Sequence, residues 1–354
     1  MIVVLVVFLI LCLWGARYSR KGNDNYLGKD QTNYVRGAFA LIIFMSHFNS
    51  YVTTGWTNIG DGIYLDVFSK IGQMMVAPFL FVSGYGIYLS SRKKKENYVR
   101  DFPKNRILKT YLFFALAVLV YLLFNLITHR EYSARDTLLA FAGWTSIGNS
   151  NWFMFAILFS YIATYFSALM TKKTICIQTI AITYLLSVAY IIIMCQLKPG
   201  QTWWYDTILC FPVGMLVAHF SDKLSKFFKK RRVLSLLLSS ALFAILFILT
   251  RKLTNPTLYP YLYNLLSCSL CFMLARLLFS FSIGNKILQF LGTYGFEIYI
   301  LQRIPHSVFG ALHLRSAPLF FFLSLLTTLL LSLVFKVVTD WLCRVILSER
   351  TRKS

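Results

Sequence analysis

Arg36 and His47 lie on one apolar run, Arg36-Gly-Ala-Phe-Ala-Leu-Ile-Ile-Phe-Met-Ser-His47. Eleven helical steps of roughly 100° return to within about 20° of the starting direction and climb about 16 Å, so both side chains project from one face of a helix. One lies at the membrane surface and the other well inside. Ionisable groups at that depth are expensive and line polar paths or sites. The guanidinium is suited to binding an anion, and an imidazole of ordinary pKa near 6.5 to moving a proton close to neutral pH. The alternative for a membrane histidine is an interhelical hydrogen bond.

The elements that must position this pair are membrane spans. Of the 354 residues, 57% are hydrophobic and 17% aromatic, far more than a soluble domain needs. Apolar windows of roughly spanning length recur at 35–52, 67–90, 107–127, 152–170, 175–195, 207–220, 234–249, 261–281, 288–312 and 319–338. Residues 1–14 form a shorter one, with no basic residue before it, no small-residue cleavage site after it, and Arg17, Arg20 and Lys21 just beyond. They read as a retained anchor, although fourteen helical residues reach only about 21 Å and require tilt or a thinned bilayer. The expected fold is all-α, a polytopic membrane protein with about ten or eleven transmembrane helices around a polar cavity, since helices satisfy their backbone bonds in lipid.

Charge placement sets the expected orientation. Lys and Arg concentrate at 17–36, 92–109, 172–173, 223–232 and 344–353, whereas 53–65 has neither and 197–206 has only Lys198. The basic loops are cytoplasmic by the positive-inside rule, which puts the N-terminus outside and the C-terminus inside, in the plasma membrane. Nearly all of the net charge of +23 belongs to these clusters, so its partner is anionic membrane lipid and not nucleic acid. Most of the seven cysteines fall within apolar spans, and Cys268-Ser-Leu-Cys271 has no His or carboxylate beside it to complete a metal site. His129, His219, His306 and His313 read as lying at span ends or in loops on both faces, so no metal or haem is expected. Trp152, Trp203 and Trp204 read as members of an interfacial aromatic belt.

Several segments, in order, resemble the signature of the acyltransferase type 3 family, integral-membrane acyltransferases that modify carbohydrate hydroxyls. The Arg36–His47 helix is followed by Pro78-Phe-Leu-Phe-Val-Ser83-Gly84-Tyr-Gly86, similar to the family's Phe-Phe-x-x-Ser-Gly segment. Lys104-Asn-Arg106-Ile-Leu-Lys109-Thr-Tyr111 resembles its Arg-x-x-Arg-x-x-Pro stretch. Asn151-Trp152-Phe153, Phe211-Pro212-Val-Gly214-Met215 and Gly292-Thr-Tyr-Gly-Phe-Glu297-Ile-Tyr299-Ile-Leu-Gln302 resemble its later segments. Lys109 stands where Arg is usual and Thr110 where Pro is common. No Glu closely follows Trp152, and Gln302 replaces a His near the end of the penultimate helix. The expected organisation is an extra anchor and linker at 1–32, the acyltransferase domain at 33–345 and a basic cytoplasmic tail at 346–354.

The resemblance implies transfer of an acyl group, most often acetyl, from cytoplasmic acetyl-CoA to a sugar hydroxyl of a surface polysaccharide or lipid-linked glycan. Coenzyme A phosphates need cations, so Arg36, Lys104, Arg106 and Lys109 are assigned to the donor's nucleotide end, against the alternative of anchoring loops to headgroups. His47, with Arg36, is the catalytic candidate, taking a proton from the acceptor or assisting transfer. Ser83 and Gly84 are read as supporting by packing and hydrogen bonding, because no base adjoins the serine. Glu297 is a supporting carboxylate that pairs with Arg303 or a base on another helix, and Tyr299 and Gln302 are read as pointing into the same polar path, against the alternative of an interfacial anchor for the tyrosine. Lys336 and Asp340 read as an i,i+4 ion pair; Asp61 and Asp66 read as helix caps, or as groups that orient His47 or bind sugar. A glycan transporter or flippase and a polysaccharide polymerase share this hydropathy. The first is expected to show matching halves, which are not found here, and the second to place its cations outside.

Overall fold

The computed structural model describes residues 1–51, 59–94, 96–171, 174–312, 314 and 316–346. Lys172, Lys173, His313, residues 53–58 of the 53–65 loop and nearly all of the 346–354 tail lie outside the described residues. The first helix, α1 (Ile2–Leu13), leads through a short strand β1 (Arg17–Tyr18) into α2 (Lys29–Phe48), which carries Arg36 and His47. Then come α3 (Ile59–Ile71), α4 (Ala77–Lys94), α5 (Glu96–Phe102), α6 (Lys109–Ile127) and α7 (Ala134–Phe141). Next are α8 (Trp152–Met170), α9 (Ile177–Leu197), α10 (Cys210–His219), α11 (Ser221–Lys230), α12 (Arg232–Lys252) and α13 (Tyr259–Ser280). A strand β2 (Phe281–Ser282) pairs antiparallel with β1, Arg17 opposite Ser282. The chain ends with three short helices, α14 (Lys286–Thr293), α15 (Gly295–Leu301) and α16 (Arg303–Ala311), and the long α17 (Ala317–Ile346).

Seven helical stretches among the described residues are long and apolar enough to cross a membrane: Asp61–Lys94, Asn97–Ile127, Trp152–Met170, Ile177–Leu197, Arg232–Lys252, Tyr259–Ser280 and Ala317–Ile346. The protein is a polytopic, all-α membrane protein. The other four apolar windows fall on α1 and α10, which are short, on α2, whose first turns are polar, and on the broken run α14–α16. Large apolar side chains on α12 and α17, such as Leu237, Leu242, Leu326 and Val334, are exposed, as lipid-facing surface must be.

Two close helix crossings hold the bundle, and each depends on paired glycines. On α4 a Cβ at Gly84 would lie 2.0 Å from the carbonyl oxygen of Phe211, and on α10 one at Gly214 would lie 2.1 Å from that of Phe81. On α2 a Cβ at Gly37 would meet the Leu288 carbonyl at 2.2 Å, and on α14 one at Gly292 would meet that of Asn33 at 1.9 Å. Small residues let backbones touch where lipid gives no hydrophobic drive to association. Gly84 thus packs α4 directly against α10. Gly86, two residues on, has nothing within 4 Å and faces open space.

This contrast is testable. Gly214→Ala should lower the thermal unfolding midpoint of detergent-solubilised protein, at a cost of at least the ~1–3 kcal/mol typical of over-packing. Gly86→Ala should leave the midpoint unchanged.

Candidate active site

A cavity of about 890 Å³ opens between α2, α4, α6, α8 and α15, and its lining divides by chemistry. Six cations, Lys29, Arg36, Lys93, Arg106, Lys109 and Lys336, share it with one described carboxylate, Glu297. The rest of the wall mixes neutral polar side chains, such as Ser83, Asn105 and Thr110, with apolar and aromatic ones, including Ile43, Val76, Phe79, Phe153 and Tyr299.

Each of the two arginines is set by its local backbone. Arg36 Nη2 donates to Asn33 Oδ1 at 2.9 Å, and Asn33 Nδ2 in turn donates to the Gln289 carbonyl at 3.0 Å and to Thr293 Oγ1 at 3.3 Å. The glycine crossing of α2 and α14 therefore also positions Arg36. Its Nε is buried without a hydrogen-bond partner. Arg106 sits on a π-turn, Pro103–Leu108, between α5 and α6, where the Lys109 N–H reaches back to the Lys104 carbonyl. Such bulges re-aim side chains at functional sites, and here Asn105, Arg106 and Lys109 all reach the cavity. Lys104, on the same turn, is exposed and is not among the residues that line the cavity.

The supporting residues fall where chemistry can use them. Ser83 lines the cavity and shares a 2.9 Å hydrogen bond with the Tyr161 hydroxyl, a cavity residue that sequence reasoning missed. Glu297, 3% exposed, accepts from Lys336 Nζ of α17 at 3.2 Å. Lys336 also keeps its expected i,i+4 pair with Asp340, at 4.0 Å. Desolvation favours the closer contact: a buried carboxylate gains more from the ammonium than a half-exposed one does.

His47 lies just beyond the inner end of the cavity. Its ring centroid is 6.3 Å from that of Tyr299, whose own ring stands 5.4 Å from Phe153. The Tyr121 hydroxyl donates to the Ile300 carbonyl at 3.0 Å and so fixes α15 against α6. His47 Nδ1 is 2.9 Å from Gln302 Nε2, so the histidine does make an interhelical hydrogen bond, to the residue that departs from the family pattern. His306 is fully buried against the rings of Phe44, Phe48 and Tyr51, which corrects its placement at a span end. Burial follows from its position on α16, four residues after Gln302 and on the same side.

Other expected residues lie apart from the cavity lining. Asp61 pairs at 2.7 Å with the amino group of Met1, and Asp66 pairs with Lys70. Trp203 is exposed as an interfacial residue should be, but Trp152 and Trp204 are buried, which corrects their placement in the belt. Trp204 and Trp144 enclose the ammonium of Lys198, at 4.7 and 4.1 Å from the ring centroids. No group of His, Cys, Asp and Glu that could hold a metal occurs among the described residues.

The arrangement is a basic, anion-attracting chamber that ends beside one imidazole. The acyltransferase domain of the type 3 family matches residues 30–337, nearly the whole bundle. The chain belongs to this family. Comparison with curated proteins and with solved structures gives no significant match. The protein is accordingly a membrane acyltransferase, and the match covers Arg36, His47, the Ser83-Gly84 segment, the Arg106 turn and Glu297 together.

In this acyltransferase the Glu297–Lys336 pair is accessible to a double-mutant cycle. Lys336→Met should destabilise by about 1–3 kcal/mol, because it strands a buried carboxylate, and Glu297→Gln should recover most of that loss when combined with it. Equal losses from Lys336→Met with and without Glu297→Gln, measured by thermal unfolding, would show that the pair is not coupled.

Proposed function

We propose that this acyltransferase moves an acetyl group from cytoplasmic acetyl-CoA to a hydroxyl of a cell-surface polysaccharide or lipid-linked glycan. The observation that carries the reading is the cavity: cations line it, its inner end is aromatic, and His47 stands just past that end. Coenzyme A has the matching polarity, with phosphates at one end, a slender neutral arm, and the thioester at the other. Arg36 and Arg106 offer fork-shaped donors for phosphate, while Lys29, Lys93 and Lys109 add point charge. A volume of about 890 Å³ lies within the range of cofactor clefts. Ile43, Phe153 and Tyr299 wall the inner end, which favours a short acyl group. The positive-inside rule makes the basic end cytoplasmic, where the donor is made, and the C-terminus with it.

The acceptor arrives from the opposite side. Beside His47 two buried polar atoms, Gln302 Oε1 and Arg303 Nε, have no hydrogen-bond partner. Unpaired buried polar groups are costly, and a polyhydroxylated substrate satisfies them. In this reading His47 stands between the two half-sites and assists the transfer.

The deciding experiment measures O-acetyl content of surface glycans in cells with the intact protein, with none, and with His47→Ala at equal abundance. Both altered strains should lose the modification; unchanged acetylation with altered glycan amount or length would favour transport or polymerisation instead. In membranes, Arg106→Ala should raise the KM for acetyl-CoA on the order of tenfold, the loss of one charge-assisted hydrogen bond, with the acceptor KM unmoved.

A further inference from the structure

We propose that Gln302 is a positioning residue that fixes the tautomer of His47, so that the imidazole meets the reacting groups as an Nε2–H donor and not as a base. The inference deepens, and rests on, the acetyl-transfer reading above. Gln302 has no exposed surface, and its Nε2 lies 3.1 Å from the backbone oxygen of Tyr299 as well as 2.9 Å from His47 Nδ1. A peptide carbonyl only accepts hydrogen bonds, so the amide nitrogen must face it. The reversed amide would set two oxygens 3.1 Å apart and lose the bond to the Tyr299 carbonyl in a buried site. Only Oε1 is unpaired in the orientation observed.

With the amide held this way, its second N–H points at His47 Nδ1, which must therefore carry the lone pair. The ring proton then sits on Nε2, for which no hydrogen bond is seen among the described residues. A histidine that acts as a base through Nε2 needs the opposite, an acceptor at Nδ1–H, as a carboxylate supplies in a catalytic triad. None is in place here. The ionisable groups facing the ring are Tyr299 on α15 and Arg303 and His306 on α16, and Glu297 is engaged by Lys336.

The transfer step balances without a change at His47. The acceptor's oxygen forms a bond to the thioester carbonyl carbon while Nε2–H stabilises the charge growing on the carbonyl oxygen. The carbon–sulfur bond then breaks, and the hydroxyl proton ends on the departing sulfur as the free thiol of coenzyme A. His47 keeps its proton throughout. Oxyanion donors of this kind contribute about 10²–10³-fold to kcat.

The test is the ¹⁵N spectrum of full-length protein labelled at histidine in lipid nanodiscs, with the His47 signals identified by their loss in His47→Asn. The wild type should show a protonated Nε2 and an unprotonated Nδ1. In Gln302→Glu, whose carboxylate accepts from Nδ1–H, the pattern should reverse, and kcat should fall about 10²–10³-fold with the acetyl-CoA KM within about twofold. A wild-type spectrum with the proton on Nδ1 overturns the proposal even if the variant fails to fold, as does a Gln302→Glu enzyme as fast as the wild type. A wild type with the expected spectrum but no acetyl transfer retains the tautomer assignment and sinks the acetyl reading instead.

Discussion

A positive charge inside an apolar bundle must be hydrated, hydrogen-bonded or met by an anion, because the desolvation of an uncompensated charge costs several kcal/mol. This protein treats its guanidinium groups in two ways. Arg276 is 1% exposed and is closed off completely: Nε donates to Ser235 at 2.7 Å, Nη1 to Ser280 at 2.8 Å, and Nη2 to the Arg232 carbonyl. The rings of Phe228 and Phe279 cover its faces. Arg36 and Arg106 face a cavity whose only described carboxylate is already held by Lys336. The first arrangement fastens α12 to α13; the second keeps cationic valence in reserve for an anionic ligand.

Building such a cavity requires that the helices around it touch closely elsewhere. The α4–α10 and α2–α14 crossings do this with glycines facing backbone carbonyls, and they spend those contacts next to functional side chains. Gly84 adjoins Ser83, and Gly37 adjoins Arg36. In each case one residue brings a helix to its neighbour, and the next projects into the cavity or its wall. The packing and the chemistry are thus encoded in the same two turns of helix, and neither can drift without the other.

Helical periodicity made much of this legible. The eleven-residue spacing of Arg36 and His47 and the long apolar windows follow from the α-helical repeat, which tertiary context did not override, and the order of motifs was enough to point to the family. Side-chain partnership was harder to read. Lys336 and Asp340 pair as the i,i+4 rule expects, yet the same ammonium makes its closer contact with Glu297 on another helix, which no local rule shows. Lys104 and Arg106 look equivalent in sequence, but the π-turn after Pro103 sends only Arg106 inward. Lys29, Lys93 and Tyr161 carry no local signal at all, because only the assembled bundle brings them to the cavity. Gln302 stood out in the sequence as a departure, and its meaning depends on a distance to His47 that spans 255 positions of chain.

The run from α15 into α16 ties these features together. Glu297 lies on the basic cavity, Tyr299 at its inner end, Gln302 on His47, and His306 in the aromatic packing beyond. A single helical path therefore presents a different group to each stage along the bundle. Its register is held by the Tyr121 hydroxyl on the Ile300 carbonyl and by Lys336 on Glu297, from two different neighbours, α6 and α17. A slip of one residue would turn each side chain by about 100° and remove the donor of His47 and the carboxylate partner of Lys336 together. Fixing that register from two sides sets the imidazole relative to the cavity more tightly than contacts made by α2 alone.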